Sequence, residues 1–260
     1  MDYEHLMVRK EGDVAVVTFN RPQKANALNP PHLEEIEAAA LSFRDDTRTR
    51  VVVFTGAGTH FCSGADLTDR EPRQDLIRWR RRARLGERCI RALTAMDQIT
   101  IAAWNGAAMG GGACIATALD FRVGASNCFM SYPEINIGVN LMWQSLPLCV
   151  HLAGPARAKQ LVISGERVYA PKLLEWGLLD EMVEPDELMD RAHEWAALYA
   201  SKAPIAAQMI KRSVNAISSA LDQSIMHMDF DQNIQTALTD DAGEAVSAYL
   251  GKRDPTFKGN

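Results

Sequence analysis

The sequence predicts an α/β fold with a helical C-terminal region, and three short apolar segments carry that prediction. RVVVFTGAG begins at Arg50, ITIAAW at Ile99 and FRVGA at Phe121. Short apolar runs of this kind are typical of buried parallel strands. Segments with helical spacing lie between and after them, and alternation of strands with helices indicates α/β architecture.

The N-terminal segment predicts a hairpin followed by a loop and a helix. HLMVRK and VAVVTFN are strand-like, and Glu11 and Gly12 lie at the turn between them. NRPQKANALNPPHL, which begins at Asn20, is predicted to be a loop. Pro30 and Pro31 of this loop stand just ahead of EEIEAAALSF, which we expect to form the first helix.

The segment from Asp69 to Arg91 predicts an amphipathic helix with an arginine-rich face. It carries nine arginines against four acidic residues. Six residues follow a spacing of three and four and form one apolar face: Leu76, Trp79, Ala83, Gly86, Ile90 and Leu93. The preferred interpretation is a solvated charged face. The alternative is a local attractor for a phosphorylated ligand.

The last hundred residues are predicted to be mainly helical. From about Ala156, the segments ARAKQLVISG, PKLLEWGLL and DELMDRAHEWAALYASKA show helical spacing. From Ile205 to the end no strand is predicted. We therefore expect an α/β core over residues 1–200 and a helical region over residues 201–260.

Composition limits the classes of function. The chain has 260 residues, of which 47% are hydrophobic and 23% charged, as in ordinary soluble globular proteins. A net charge of −5 argues against nucleic acid or an anionic membrane as the main partner. The five cysteines form no CxxC pair and the histidines show no metal spacing, so neither a disulfide framework nor a metal site is expected. The N-terminus shows no secretory signal, and we expect a cytoplasmic protein.

Two loops of small residues are the candidates for a functional site. In NGAAMGGGACIATALD, Gly110 to Gly112 stand where a helix is predicted to begin. The phosphate-binding and dinucleotide-binding glycine patterns are not matched. Glycine allows close approach of a ligand, and the first amides of a helix are unpaired donors for a negative oxygen. FCSGADL, which begins at Phe61, is a second such loop, so each loop can supply one N–H to the same oxygen.

These motifs, in their order along the chain, resemble the crotonase (enoyl-CoA hydratase/isomerase) superfamily. The resemblance rests on NRPQKANALN, FCSGADL, AAWNGAAMGGGACIATALDFRVGA, SYPEINIG, GPARAKQLVISG and GKRDPTFKG, and it covers nearly the whole chain. It implies a crotonase-like spiral of ββα units through about residues 154–165. The helices predicted after Pro204 carry apolar faces too large for contacts within one chain, so we expect the C-terminal region to assemble a homotrimer, or a dimer of trimers.

The resemblance assigns roles to individual residues. The backbone N–H groups of Ala65 and Gly111 are expected to bind the thioester oxygen of an acyl-CoA substrate, and Glu134 to act as acid and base. Expected CoA contacts are Lys24, Ala25, Ala27, Leu28, Ser63, Asp66 and Leu67, with Phe257 and Lys258 reaching the adenine end from a neighbouring subunit. No separate cofactor is expected, because CoA is part of the substrate.

Two departures from the hydratase pattern bear on the reaction. Hydratases of the superfamily carry a second glutamate where this chain has Cys114, and a glycine-rich turn where it has GVNLMWQSLP from Gly138. Shifting a double bond requires one base only, so isomerisation of an enoyl-CoA is the preferred prediction. Trp143 is expected to line the pocket and to help raise the pKa of Glu134 by desolvation.

Two alternatives stay open from the sequence. The first is a 2-enoyl-CoA hydratase in which Glu134 works with another acid, such as Asp69 or Glu71. The second is a catalytically inactive acyl-CoA binding protein, which would bind its ligand tightly without turnover. The presence of Glu134 argues against the second alternative.

Overall fold

A six-stranded sheet forms the centre of the molecule. The structure, a computed structural model, describes residues 3–66, 68 and 75–260. The strand order in the sheet is β1-β2-β3-β4-β6-β9. Its strands are β1 (Leu6–Glu11), β2 (Val14–Phe19), β3 (Val51–Gly56), β4 (Ile99–Trp104), β6 (Phe121–Ala125) and β9 (Glu181–Val183).

The predicted hairpin and the three predicted parallel strands are confirmed. Strands β1 and β2 pair antiparallel, and Gly12 in their turn has a φ of 62°. From β2 onwards every neighbouring pair is parallel, with Val51 opposite Ile99 and Ile101 opposite Phe121. Parallel strands end at the same edge of a sheet, so the loops after β3 and β4 are brought together.

A second, three-stranded sheet contains segments that hydrophobic periodicity did not reveal. It consists of β5 (Ala107–Met109), β7 (Phe129–Ser131) and β8 (Val168–Tyr169), in the order β5-β7-β8. An isolated bridge between Cys62 and Ala108 extends it towards the loop after β3. Successive units therefore send one strand to the large sheet and the next segment to the small sheet before a helix follows, which is the ββα repeat that the resemblance implies.

Eleven α-helices and two short 3-10 helices lie in the described ranges. The helices up to residue 200 are α1 (Pro30–Ser42), α2 (Leu76–Thr94), α3 (Gly111–Ala118), α4 (Ser145–Ala153), α5 (Pro155–Ser164), α6 (Ala170–Glu175) and α7 (Leu188–Ala200). The C-terminal helices are α8 (Pro204–Ser218), α9 (Gln223–Met226), α10 (Asp229–Ala237) and α11 (Asp240–Gly251). The 3-10 helices are Pro22–Lys24 and Pro133–Ile137. No helix in the described part of the chain combines the length and apolar character that a membrane span requires.

Two helix predictions need correction. Helix α1 begins at Pro30, so the prolines lie in its first turn instead of ahead of it. The Asn29 side chain accepts the N–H of His32 at 3.0 Å, and proline is tolerated in a first turn because its missing N–H has no helical partner there. In α2, Ile90 and Leu93 are buried as predicted, but Leu76 is 54% exposed.

The parallel strands are buried on both faces, and each face has its own core. Val51, Val53 and Ile101 pack with apolar residues of α7. The alternating residues Val52 and Phe54 point to the other core, which is covered by α1, α2 and α3. Burial on both faces explains why these strands are continuously apolar instead of alternating.

The predicted change to helix at about Ala156 is placed too early. Strand β9 follows α6 and adds the sixth strand of the large sheet, where Val123 lies opposite Glu181. After α7 the described chain contains helices only. Helix α8 is attached to the sheet by Lys211, whose Nζ lies 2.6 Å from Asp120 Oδ2 and donates to the carbonyl of Gln98 at 2.7 Å.

Candidate active site

The two loops predicted to hold CoA lie side by side and are joined through their backbones. The Ser63 N–H donates to the Ala25 carbonyl at 3.0 Å. The Leu28 N–H donates to the Gly64 carbonyl at 2.7 Å, and the Asp66 N–H donates to the Leu28 carbonyl at 2.8 Å. These bonds form a short parallel ladder, with Leu28 and Ala65 as an isolated bridge. The structure thus brings together segments separated by about forty residues of sequence.

Asn26 fixes the first of these loops. Its buried side-chain amide donates to the carbonyls of Ala57 and His60 at 2.9 and 2.7 Å, and its Oδ1 accepts the N–H of Arg21. Ala25 and Asn26 have φ values of 49° and 56°. Left-handed backbone is unfavourable for residues with a side chain, so it persists only where surrounding contacts hold it.

The glycine-rich turn presses the start of α3 against the second loop. The Cys62 N–H donates to the Ala107 carbonyl at 2.9 Å, and the Met109 N–H donates to the Cys62 carbonyl at 3.0 Å. Gly110 has a φ of 49°, a conformation that favours glycine. A Cβ on Gly112 would lie 2.2 Å from the Cys62 carbonyl oxygen, so no side chain fits there.

The amides of Ala65 and Gly111 are the unpaired donors of this arrangement. Neither N–H donates a hydrogen bond to another residue that the structure describes. A Cβ on Gly64 would lie 3.5 Å from the Gly111 nitrogen, which shows how closely the two loops approach. Gly111 is the first residue of α3, where a free N–H and the helix dipole favour a negative oxygen. The predicted pair of donors is therefore adjacent.

Glu134 lies on the 3-10 helix Pro133–Ile137, beside the same glycine turn. A Cβ on Gly110 would lie 3.0 Å from Glu134 Oε1. Oε2 is buried and has no hydrogen-bond partner among the described residues. Burial raises the pKa of Glu134 from 4.5 to about 7. A carboxyl group with this pKa can hold and release a proton near neutral pH.

Cys114 is a buried residue of α3 next to this carboxyl group. Its side chain is 2% exposed. Burial, together with the nearby charge of Glu134, raises the pKa of the thiol well above its usual value, while a hydrogen bond with Ser145 acts in the opposite direction. The thiol is the form present at neutral pH, so its environment does not prepare it as a nucleophile.

No metal site is formed by the described residues. Within residues 3–66, 68 and 75–260, no three His, Cys, Asp or Glu side chains are grouped closely enough to hold an ion. All five cysteines are buried and free.

A cavity of about 670 Å³ opens beside Ala65. Its lining includes Leu28, Ala65 and Asp66 from the two loops, together with Gly86 of α2 and Trp143. Residues of α10 and α11 of the same chain, among them Ala242 and Val246, cover it. Trp143, predicted to line the pocket, is thus one of its walls.

Several residues predicted to contact CoA form hydrogen bonds or ion pairs within the protein, and Phe257 is exposed near the C-terminus. Asp66 accepts a hydrogen bond from Thr68 and pairs with Arg21 at 3.0 Å, and these contacts lower its pKa. Lys24 is exposed, and its Nζ donates to Thr68 Oγ1 at 3.0 Å. Phe257 is 51% exposed, and the Lys258 N–H donates to Asp241 of α11.

Three residues named from the sequence lie outside the part of the chain that the structure describes. Leu67, predicted to contact CoA, lies outside the described residues. Asp69 and Glu71, the alternative second acids, lie outside them as well. Their predicted roles stay predictions.

Asp229 is a site residue that the sequence did not reveal. Its Oδ2 accepts the N–H of Gln144 at 2.9 Å across 85 residues of sequence. Burial raises its pKa from 3.8 to about 6, while hydrogen bonds from the Gln144 and Trp143 amides act in the opposite direction. Nothing local marks this aspartate, because the loop that it holds is distant in sequence.

Comparison with known proteins identifies the family of the chain. The sequence profile described as Enoyl-CoA hydratase/isomerase matches residues 9–260. A short-chain-enoyl-CoA hydratase of Clostridium acetobutylicum is 33% identical over 254 residues, which are 97% of each chain. A crotonyl-CoA hydratase of Syntrophomonas wolfei is 32% identical over 259 residues, 99% of each chain. The crystal structure of an enoyl-CoA hydratase from Mycobacterium avium subsp. paratuberculosis matches with a TM-score of 0.88 at 26% identity, covering 99% of this chain and 100% of that one. The chain therefore belongs to the enoyl-CoA hydratase/isomerase family.

Proposed function

We propose that this protein adds water to the double bond of 2-enoyl-CoA thioesters, with Glu134 as its acid and base. The observation that carries the proposal is the position of Glu134. Its buried, unpartnered Oε2 stands beside a glycine turn that presents the free amide of Gly111 next to that of Ala65. A proton carrier next to two donors for an oxyanion suits chemistry at the carbon adjacent to a thioester.

One carboxyl group is sufficient to carry both proton transfers of this reaction. The Glu134 carboxylate takes a proton from water as the water oxygen bonds to C3, and the electron pair of the double bond moves to the thioester oxygen as an enolate. The protonated Glu134 then delivers its proton to C2 as the thioester carbonyl re-forms. The substrate gains H and OH, and Glu134 returns to its starting state.

The two amides stabilise the enolate. In this reaction the charge collects on the thioester oxygen, where the N–H groups of Ala65 and Gly111 would both donate. Each such donor contributes about 3 kcal/mol to lowering the barrier in known oxyanion holes. Because both donors are backbone groups held by the ladder and by the start of α3, they need no reorganisation during the reaction.

The names of the relatives favour hydration. Both relatives described above are named hydratases, one for short-chain enoyl-CoA and one for crotonyl-CoA. These names do not support the preference for isomerisation that the sequence suggested. They motivate hydration of a short 2-enoyl-CoA as the first activity to measure.

Isomerisation is the second candidate, and Cys114 is the observation that favours it. The thiol lies near Glu134 in a buried environment that keeps it protonated. A thiol is a weak hydrogen-bonding group and a poor substitute for a carboxylate that orients water. In an isomerase, Glu134 would take a proton from C2 of a 3-enoyl-CoA and return it at C4, with no water to place.

A parallel assay separates the two candidates. Purified protein is given crotonyl-CoA, and the loss of the conjugated double bond is followed. It is also given 3-enoyl-CoA, and the gain of conjugation is followed. Faster hydration supports the proposal, and faster isomerisation replaces it with the second candidate.

The Glu134→Gln variant is the control for both reactions. Glutamine keeps the shape of the side chain but cannot carry the proton, so kcat should fall by at least about a hundredfold. Binding of a saturated acyl-CoA should change little. Full activity of the variant would contradict the assigned role, and tight acyl-CoA binding by the native protein without turnover would indicate a binding protein.

We propose that the protein recognises its substrate through the CoA moiety. The backbone ladder joining residues 24–28 to residues 63–66 leaves the loops beside the cavity that reaches Ala65. CoA arrives as part of the substrate, and the proton transfers above require no further cofactor. Calorimetry should show binding of acyl-CoA that NAD and ATP do not match.

We also propose that residues 201–260 assemble the protein into trimers or dimers of trimers. Phe257 and Lys258 would then reach the adenine end of CoA bound to a neighbouring subunit. The support is the exposed apolar surface of the C-terminal helices, which includes Ile205, Met209 and Ile217. A groove of about 940 Å³ runs between α8 and the core beside this surface.

A further inference from the structure

Trp143 occupies the gap between α2 and α3. A Cβ on Gly86 of α2 would lie 1.8 Å from Cε2 of the Trp143 indole. A Cβ on Gly111 of α3 would lie 2.4 Å from Cζ3 of the same ring. The indole therefore rests directly on the Cα atoms of two glycines that face each other across the site. Any larger residue at either position would displace the ring.

The conformation of the Trp143 backbone is strained. Trp143 and Gln144 have φ values of 67° and 60°, two successive left-handed residues that are not glycine. Each such residue costs of the order of 1–2 kcal/mol. A bulky aromatic residue keeps this conformation only where its surroundings hold it, and strain of this kind is concentrated at functional sites.

Contacts from two helices hold the strained segment. Asp229 of α10 accepts the Gln144 N–H at 2.9 Å. The Gln144 side chain donates to Glu87 at 3.0 Å and accepts from Arg91 at 3.1 Å, and both partners belong to α2. The Gln144 side chain is buried. The loop is therefore fixed on both sides, and the indole has a defined position.

That position is beside one of the two proposed oxyanion donors. The indole touches Gly111, whose amide is one of the two oxyanion donors, and Glu134 stands beside the preceding residue, Gly110. The cavity that begins at Ala65 reaches the indole, and Met142 lines it next to the ring. If the thioester oxygen binds at the amides, as the proposed function requires, an acyl chain directed into this cavity would meet the Trp143 indole.

We propose that Trp143 sets the acyl-length limit of this site and restricts it to short enoyl-CoA thioesters such as crotonyl-CoA. The inference rests on the proposed function, because the amides define where the thioester binds. Trp143 is a specificity residue, and Gly86, Gln144 and Asp229 act through it. The length limit comes from this chain's own indole and the two glycines that admit it.

The test compares acyl chains of increasing length. The values of kcat/KM are measured for the crotonyl, trans-2-octenoyl and trans-2-dodecenoyl thioesters of CoA. The native protein should prefer crotonyl-CoA. In Trp143→Ala the preference for crotonyl-CoA over octenoyl-CoA should fall by at least about tenfold, since methylene-scale differences in a pocket change kcat/KM by that order. Tyr249→Ala, which removes an exposed aromatic ring from α11, should keep the native ratio.

A second pair of variants tests the contact between the Trp143 indole and Gly86 of α2. Gly86→Ala adds a Cβ that meets the indole, so it should reduce kcat/KM for crotonyl-CoA in the native background. In the Trp143→Ala background the same change meets no ring and should have little effect. An equal effect in both backgrounds would contradict the proposed contact. Trp143→Phe provides a smaller ring should Trp143→Ala fold poorly, and it should shift the length preference in the same direction.

Binding measurements separate this inference from the proposed function. Butanoyl-CoA and octanoyl-CoA are saturated, so their affinities report the length limit without any reaction. Turnover of enoyl-CoA with no preference for short chains would overturn the length limit and leave the proposed function intact. Absence of turnover, together with tighter binding of butanoyl-CoA than of octanoyl-CoA, would overturn the proposed function and leave the length limit intact. Equal affinities that Trp143→Ala does not change would overturn the assignment of Trp143.

Discussion

The Glu134 carboxyl group is placed where ionisation is costly. Its Oε2 is buried without a partner, and burial raises its pKa to about 7. The protonated form is therefore favoured in the folded state relative to the unfolded state, where the pKa is near 4.5. The same burial that suits Glu134 to the proposed proton transfer also makes its ionised form a source of instability.

Glu134→Gln should stabilise the protein in a pH-dependent way. Between pH 4.5 and about 7 the folded state holds a proton that the unfolded state has lost, so the unfolding free energy of the native protein falls as pH rises through this window. Glutamine has no proton to lose. The variant should therefore gain little near pH 4 and up to about 3 kcal/mol near pH 8. Urea unfolding of both proteins across this range measures the difference.

Asp229 provides an internal reference for that measurement. Its pKa is also raised, to about 6, so it adds its own decline in stability with rising pH to both proteins. The contribution cancels when the variant is compared with the native protein at the same pH. A difference that does not grow between pH 4 and pH 8 would contradict the raised pKa of Glu134.

Cys114 should be replaceable without loss of chemistry. Cys114→Ala removes a buried thiol that is assigned no proton transfer, so activity should change less than about threefold and stability by about 1 kcal/mol. Cys114→Glu would place a second carboxyl group near the first. It should raise the ratio of hydration to isomerisation if the fold accepts it. Rates on both substrates and a melting curve are the measurements, and loss of all activity in Cys114→Ala would contradict this assignment.

At the level of single residues, the sequence names candidates where a short motif marks them. Ala65, Gly111 and Glu134 were expected from short motifs, and the structure places them around one glycine turn. Their catalytic roles stay predictions. Asp229 has no motif, because its function is to accept amides of a loop 85 residues away. The demand for glycine at Gly86 likewise arises only when the Trp143 ring packs on it.

At the level of elements, the sequence predicts the strands that are long and continuously apolar. Strands β3, β4 and β6 have five or six residues and were predicted, whereas β5, β7, β8 and β9 have two or three and were not. A segment of two or three residues is too short for any period to be recognised. The short strands nevertheless shape the site, because β5 leads directly into the glycine turn before α3.

Gly112→Ala tests the contact between α3 and the neighbouring loop. The added Cβ would lie 2.2 Å from the backbone oxygen of Cys62, which cannot move without shifting the ladder. Overpacking of this kind costs about 1–3 kcal/mol. We expect a lower unfolding free energy and a lower kcat/KM, because the shift separates the two amides.

Gly243→Ala is the matched control for this change. Gly243 lies within helix α11, and a Cβ there meets no atom within 4 Å. Alanine is favoured over glycine inside a helix by about 0.5–1 kcal/mol. Chemical denaturation should therefore show opposite signs for the two variants. Similar destabilisation by both would indicate that the contact with Cys62 is unimportant.

At the scale of the whole molecule, helix α8 exposes an apolar surface. Of the fifteen residues of α8, only Lys211 is buried, and it pairs with Asp120. Exposed apolar residues continue along α8 and beyond it: Ile205, Met209, Ile210, Val214, Ile217, Leu221 and Ile225. Monomeric proteins seldom expose contiguous apolar patches of this extent, so the surface is expected to be covered by other subunits.

Sedimentation should give a particle larger than the single chain of 28.7 kDa. We expect three chains or six, as the proposed assembly requires. Replacement of Val214 and Ile217 by glutamate places charges on the exposed face and should shift the distribution towards monomers. Asp254→Asn, at an exposed position after α11, should leave the assembly unchanged. A monomeric native protein at micromolar concentration would contradict the proposal.

The hydrogen bond from Gln144 to Asp229 also limits how far this protein can be treated as modular. Helix α10 belongs to the region proposed for assembly, yet its Asp229 holds the loop that carries Trp143. A chimera that joins this core to the C-terminal helices of a relative would therefore exchange part of the acyl pocket along with the subunit interface. If both proposals hold, substrate preference and quaternary structure would be inherited together, and recombination between relatives would have to preserve both sides of that hydrogen bond.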